Sequence, residues 1–286
     1  MVEAYVKSGS RPDDPKTEPL RNRDHVGAAT KLTMKPVSPR RSTLELRKVF
    51  AWLTRRETPK WFLVSAALLV LGGAWLFLGI LEDVVTGDPL VQVDVLVHDT
   101  AQTLRTAGAD RFFAAVTELG DLQVVGPVVV VVLGWFLGHR FWLAATYWLV
   151  AVGVAEALVT VIKFALHRPR PGALHLGMDQ FSFPSGHATL SIVVYGFLAF
   201  LLAEQASRRL RVLIVSAAAL LIGGIALSRL YLGVHWMSDV LGGLSFGAAW
   251  IAALAIAYLY QRRQVFRTGK LALLALATLA IAAALH

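Results

Sequence analysis

The chain has 286 residues, of which 56% are apolar and only 16% charged. A water-soluble domain carries roughly 25% charged residues, so this chain lacks the polar surface to stay in water. The same figures exclude a wholly disordered chain, and the absence of cysteine excludes a disulfide-stapled secreted scaffold. An integral membrane protein remains. The net charge of +9 has the sign a nucleic-acid partner would need, but its placement along the chain argues for a bilayer and against nucleic acid.

The first sixty residues hold fourteen Lys and Arg against seven Asp and Glu, which supplies +7 of the +9. Pro12, Pro15, Pro19, Pro36 and Pro39 break any long regular element there. No apolar run directly follows a basic start, so a cleavable signal peptide is not expected. Residues 1–41 read as a disordered basic cytoplasmic tail. Ser42 and Glu45 then form an S-x-x-E capping box. Leu44, Leu46, Val49, Phe50 and Leu53 can gather on one side, with Arg47, Lys48, Arg55 and Arg56 on the other. Residues 42–60 are therefore expected to form an amphipathic helix on anionic headgroups, with a solvated linker as the alternative.

From Trp61 onward the apolar runs approach the roughly 20 residues that a spanning helix needs. Spans are expected near 61–81, 122–138, 141–162, 188–203, 212–227 and 241–260, with a shorter seventh over 271–285. Several are short on paper, so their ends should extend into the flanking residues. The fold class is all-α: a polytopic helical bundle in the membrane over 61–260. A basic loop and a short C-terminal apolar helix follow over 261–286.

Lys and Arg stay on the cytoplasmic side. Arg55, Arg56 and Lys60 precede the first span, Arg140 follows the second, and Arg208, Arg209 and Arg211 follow the fourth. Arg262, Arg263, Arg267 and Lys270 follow the sixth. Every second connection is basic, which sets the N-terminus in the cytoplasm. The connection 82–121 holds eight acids and only Arg105 and Arg111, so it belongs outside. Its apolar residues predict helices lying along the outer interface. The connections 163–187 and 228–240 fall on that same outer side.

Those two connections hold the chemistry. One begins Lys163-Phe-Ala-Leu-His-Arg-Pro-Arg170-Pro171 and ends Phe183-Pro184-Ser185-Gly186-His187; the other runs from Ser228-Arg229 to His235 and Asp239. Lys163, Arg170 and Arg229 repel one another unless a polyanion neutralises them, and Arg suits the forked hydrogen bonding of phosphate. Ser185 and Gly186 stand at a helix start, where backbone N–H groups and the dipole favour an anion. His235 and Asp239 share a face if the sixth span starts a turn early. The carboxylate would then fix one ring nitrogen and leave the other free to attack, while His187 could protonate a departing oxygen. Read singly, each feature has a bland alternative: an interface anchor, an N-cap at Ser185, a satisfied hydrogen bond. Glu156 lies inside the third span and is read either as steadying Lys163 or as protonated and bonded to a neighbouring helix. His167, Arg168 and His175 read as exposed loop residues with no role, or as contacts to a headgroup or second phosphate.

Together the positions spell K-x6-R-P, P-S-G-H and S-R-x5-H-x3-D in order, with no substitution. This pattern resembles the type 2 phosphatidic acid phosphatase (PAP2) superfamily, over roughly residues 85–260. The resemblance implies a six-helix membrane core with its site near the outer interface. It implies His235 as nucleophile through a phosphohistidine, Asp239 as its support and His187 as general acid. Lys163, Arg170, Ser185, Gly186 and Arg229 would bind the phosphoryl oxygens, and no metal or other cofactor is implied.

The expected activity is dephosphorylation of a membrane lipid phosphate at the outer face of a cytoplasmic membrane. By resemblance the substrate class includes undecaprenyl pyrophosphate, phosphatidylglycerophosphate, phosphatidic acid and lipid A phosphates. Two other readings use the same residues: a phosphotransferase that passes the phosphoryl group to an acceptor lipid, and a non-catalytic lipid-phosphate binding or transport protein. The second leaves His187, His235 and Asp239 without a purpose, because gripping a headgroup needs only cations. A vanadate-dependent haloperoxidase, which shares the phosphate site, is disfavoured by spans on both sides of the motifs.

Overall fold

The computed structural model describes residues 60–87, 89–172, 181–261, 264 and 267–286. The tail expected over 1–41 and nearly all of the interfacial helix expected over 42–60 lie outside the described residues, as do Arg262, Arg263 and His175.

All seven expected spans are helical: α1 (Lys60–Thr86), α4 (Leu122–Gly138), α5 (Trp142–Leu166), α6 (Gly186–Ala203), α7 (Arg208–Tyr231), α8 (Met237–Tyr260) and α9 (Thr268–Leu285). Between the first two lie α2 (Pro89–Thr103) and α3 (Ala107–Glu118), the helices expected in the acidic connection. Most spans run a few residues beyond the apolar runs, because charged residues at their ends still close helical turns. At about 1.5 Å per residue, the 27 residues of α1 reach about 40 Å, enough to cross a bilayer with tilt. The α9 segment, with 18 residues, reaches about 27 Å by the same rise. Among the described residues seven stretches are long and apolar enough to cross a membrane. One of them, Ala107–Gly138, takes in α3 as well as α4, broken by the turn at Leu119, Gly120 and Asp121. The chain is a multi-pass membrane protein.

α6 is the central helix and the most enclosed of the seven. It touches α5, α7 and α8; α8 packs along α1, and α9 packs along α4. The interior away from the motifs is built by Val128, Val132 and Phe136 of α4, Trp148 of α5, Phe197 and Leu201 of α6, and Tyr258 of α8. In lipid such contacts act through close packing rather than escape from water. Two indoles add cross-helix hydrogen bonds: Trp148 donates to the Val129 carbonyl at 3.1 Å and Trp250 to the Ala151 carbonyl at 3.0 Å. Leu68, Leu71, Trp75 and Leu78 of α1 and Leu220 of α7 face outward with more than half their surface exposed, which suits acyl chains.

Close approach of α6 to α8 depends on glycine. A Cβ on Gly243 would stand 2.7 Å from Thr189 Oγ1 and 2.8 Å from the Ser185 carbonyl oxygen. Within α6, residues Ile192–Gly196 form one wide π turn, a feature found preferentially near functional sites.

Candidate active site

The C-terminal ends of α5 and α7 and the N-terminal ends of α6 and α8 meet at one end of the bundle, joined there by α2 and α3. Each element delivers a motif residue. Lys163 sits in the last turn of α5, Gly186 and His187 open α6, Arg229 sits in the last turn of α7, and Asp239 lies in the first turn of α8. α8 begins only at Met237, so His235 stands before the helix rather than on its face, and it meets Asp239 of the first turn across the N-cap residue Trp236. The long connection after α5 is tied into a loop. Pro169 and Phe181 form an antiparallel bridge, and the Ser182 N–H donates to the Arg168 carbonyl at 2.8 Å.

His235 is almost fully buried, with 2% of its surface exposed. Its Nδ1 lies 3.3 Å from Asp239 Oδ2, and its Nε2 lies 3.1 Å from an Arg170 Nη1 that also donates to the Val234 carbonyl at 3.1 Å. A carboxylate can only accept and a guanidinium can only donate. The assigned tautomer is therefore Nδ1–H, with the Nε2 lone pair directed at Arg170. Burial first, then the positive charges of Arg170, Arg229 and Lys163 with a contribution from His187, hold His235 well below the usual imidazole range. It is a neutral base surrounded by cations.

The remaining motif residues converge on this ring. Lys163 Nζ lies 4.0 Å from the position a Cβ on Gly186 would occupy, so Lys163 faces the start of α6. Arg229 donates to Thr117 Oγ1 of α3 at 2.7 Å and is 8% exposed. Ser185 is the N-cap of α6, its Oγ accepting from the Ala188 N–H at 3.5 Å. The bland reading of Ser185 as a cap therefore holds, and its hydroxyl proton stays available to a ligand.

Two polar residues at this end, Asp94 and Asp121, were not singled out from the sequence, and a third, Arg168, was read there as an exposed loop residue or a headgroup contact. Arg168 is inside the site, with 11% of its side chain exposed. It donates to Asp239 Oδ1 at 2.6 Å, Ser238 Oγ at 2.6 Å and Asp94 Oδ2 at 2.7 Å. Asp94 of α2 is buried and also accepts from the Ser238 N–H at 2.8 Å and the Ser238 hydroxyl at 2.5 Å. Asp121, just before α4, brings Oδ1 to 3.4 Å from His187 Nε2. The one available signal was periodicity: Asp94, His98 and Gln102 stand four residues apart and form a polar stripe on α2. That stripe faces the His235 loop, where His98 packs against Trp236 with the rings tilted 57° and centroids 5.6 Å apart. Gln102 lies beneath Gly233, whose φ of 68° favours glycine and where a Cβ would meet the Gln102 side chain at 2.5 Å.

The side chain of Glu156 is exposed on the outside of α5 rather than directed into the bundle. His167 is also exposed and meets the Phe181 ring edge-on at 4.5 Å.

Residues 144–264 match the family model described as the PAP2 superfamily, and every motif residue named above falls inside that stretch. Over that stretch this chain is similar to the PAP2 superfamily. It is an enzyme of the PAP2 phosphatase type. Phosphatidylglycerophosphatase B of Bacillus subtilis is 29% identical over 180 residues, covering 60% of this chain and 87% of that protein. A decaprenylphosphoryl-5-phosphoribose phosphatase of Mycolicibacterium smegmatis is 40% identical over 112 residues, 37% of this chain and 53% of its own. A lipid A 1-phosphatase of Rhizobium etli is 32% identical over 128 residues, 41% and 51% of the two chains. The crystal structure of a PAP2-type phosphatidylglycerolphosphate phosphatase from Bacillus subtilis aligns with a TM-score of 0.59 at 27% identity. That alignment takes in 68% of this chain and 98% of the other. The PAP2 fold expected from the motifs is thus the fold observed.

Proposed function

We propose that this PAP2 enzyme removes the terminal phosphate of a membrane lipid phosphate or pyrophosphate without a metal ion, through a phosphohistidine on His235. The observation that carries this reading is the placement of His235 Nε2, 3.1 Å from Arg170 Nη1, on a buried ring whose other nitrogen faces Asp239. A phosphoryl oxygen competes for Arg170, which frees the Nε2 lone pair at the moment the phosphorus arrives. Lys163, Arg229, the Ser185 hydroxyl and the Gly186 N–H take the other oxygens and spread the charge of the transition state.

His235 Nε2 then forms a bond to phosphorus as the bond to the leaving oxygen breaks, and His187 gives that oxygen its proton. In the second half, water attacks the phosphorus, the P–N bond breaks, His187 takes the proton from the water, and inorganic phosphate departs. Asp239 holds the Nδ1–H through both halves and balances the positive ring. Asp121 stands beside His187, its Oδ1 3.4 Å from Nε2, and orients the ring.

The substrate class we propose is that of phosphatidylglycerophosphate, phosphatidic acid, undecaprenyl pyrophosphate and lipid A phosphates, and relatives that dephosphorylate such amphiphiles support it. The alternation of basic connections supports a cytoplasmic N-terminus in the cytoplasmic membrane, with the site opening to the exterior. The test is a rapid-quench reaction with a 32P-labelled lipid phosphate. The reading predicts label on His235, stable in alkali and lost in acid. Full turnover with no protein-bound label in wild type, or label that persists in His235→Ala, would refute it.

A further inference from the structure

We propose that Arg168 is a positioning residue of the reaction: held by Asp94, it fixes the Asp239 carboxylate so that one oxygen remains for His235. The inference rests on the reading of His235 as nucleophile and goes beyond it, because neither Asp94 nor Arg168 belongs to the three motifs.

The geometry divides Asp239 between two duties. Oδ2 faces His235 Nδ1 at 3.3 Å and accepts the Trp236 N–H at 2.9 Å. Oδ1 takes Arg168 at 2.6 Å and the Ser182 hydroxyl at 3.3 Å. A carboxylate free to rotate could present either oxygen to either neighbour, and His235 would lose its fixed partner. The guanidinium prevents that rotation. It is in turn immobilised by Asp94 Oδ2 at 2.7 Å and by the Ser238 hydroxyl, which accepts from Arg168 and donates to Asp94. A planar fork can serve both carboxylates and the hydroxyl at once, which a lysine ammonium cannot do in the same plane.

Charge leads to the same assignment. Asp94 is 1% exposed and Asp239 is fully buried, and each lies within hydrogen-bond distance of Arg168. Buried like charges at such spacing are held together only by the cation between them or by taking up a proton. A proton on Asp239 would remove the acceptor that His235 needs. Trp236 closes the arrangement: its ring lies 5.9 Å from the Arg168 guanidinium carbon, and its indole N–H donates to the Pro169 carbonyl at 2.9 Å. Helix α2, outside the stretch that matches the family model, thereby reaches the nucleophile through two side chains.

The experiment compares Arg168→Gln, Asp94→Asn and the double variant, purified in detergent. Phosphate release from phosphatidylglycerophosphate, phosphatidic acid and undecaprenyl pyrophosphate is the readout, with thermal stability measured alongside. Arg168→Gln should lower kcat at least 100-fold with KM within threefold of wild type, because the phosphate-binding cations are untouched. The double variant should regain at least tenfold of that loss, since removing one carboxylate relieves the other. A packing role alone predicts that the two losses compound, so a double variant no better than Arg168→Gln overturns the proposal. Arg168→Gln within threefold of wild type also overturns it. If Arg168→Gln does not fold, Arg168→Lys and Asp94→Asn decide. A tenfold or greater loss in kcat at constant KM supports the proposal, and values within threefold of wild type defeat it. Wild-type protein that releases no phosphate from any of the three lipids defeats the functional reading together with this one. Active wild type with unresponsive variants defeats only this one.

Discussion

The backbone N–H of Ser185 donates to the backbone carbonyl of Asp239 at 3.0 Å. This bond joins the segment that opens α6 to the first turn of α8, so the residues proposed to bind phosphate and the proposed nucleophile's support share one frame. It forms only because α8 presents Gly243 where α6 crosses it. Gly243→Ala places a methyl 2.8 Å from the Ser185 carbonyl and 2.7 Å from Thr189 Oγ1. Overpacking of this kind costs about 1–3 kcal/mol. The variant should lose thermal stability and also kcat, whereas Gly79→Ala, where a Cβ meets nothing within 4 Å, should change neither. Thermal melts and phosphate release on the pair check this.

The electrostatics of His235 predict the pH dependence. Burial and the charges of Arg170, Arg229 and Lys163 lower its affinity for protons, and in the proposed mechanism the reacting species is the neutral ring. The neutral fraction falls only as pH drops through the ring's own pKa, which lies below the usual value of about 6.5. The acid limb of kcat/KM, corrected for ionisation of the substrate, should therefore lie well under pH 6.5. Lys163→Gln should move that limb upward by removing one of the cations responsible. An acid limb at 6.5 that does not move in Lys163→Gln would contradict the arrangement.

Asp121 gives a milder prediction. It approaches His187 at 3.4 Å and is 40% exposed, so water screens much of its effect. Asp121→Asn should reduce kcat by about tenfold or less, within the range that general acid catalysis by one side chain supplies. Steady-state kinetics on that variant, beside His187→Ala with a much larger loss, would check the order of the two effects.

The fold was legible in the sequence because a spanning helix needs a long apolar run, and seven such runs are present. The motif residues were legible because their order and spacing are fixed by chemistry, and the structure brings Lys163, Arg170, Ser185, His187, Arg229, His235 and Asp239 to one end of the bundle. Arg168, Asp94 and Asp121 were not legible. Each is one charged residue in a connection, and a sequence cannot say which loop charge folds inward. Arg168 reaches Asp94 across 74 positions, a separation that no local pattern encodes. Glu156 shows the converse: an acid inside an apolar run looks functional, yet it faces outward from α5.

If the N-terminus is cytoplasmic and Thr268–Leu285 crosses, the seven crossings put His286 on the same side as the active site. A reporter fused after His286 that works only outside the cytoplasm should be active, and one that works only inside should be silent. The reverse pattern would mean that Thr268–Leu285 does not cross. Removing residues 1–41 should leave turnover in detergent within twofold of the full chain if that segment serves only to hold the lipid surface.

The most direct test of the account is inorganic phosphate release by purified protein in detergent with EDTA present. It uses phosphatidylglycerophosphate, phosphatidic acid and undecaprenyl pyrophosphate, with His235→Ala alongside. The account predicts release by wild type in EDTA from at least one lipid, and a fall of about 10⁴-fold or more in His235→Ala, as expected when a nucleophile is removed. Release that requires an added divalent cation, or that survives in His235→Ala, would contradict it.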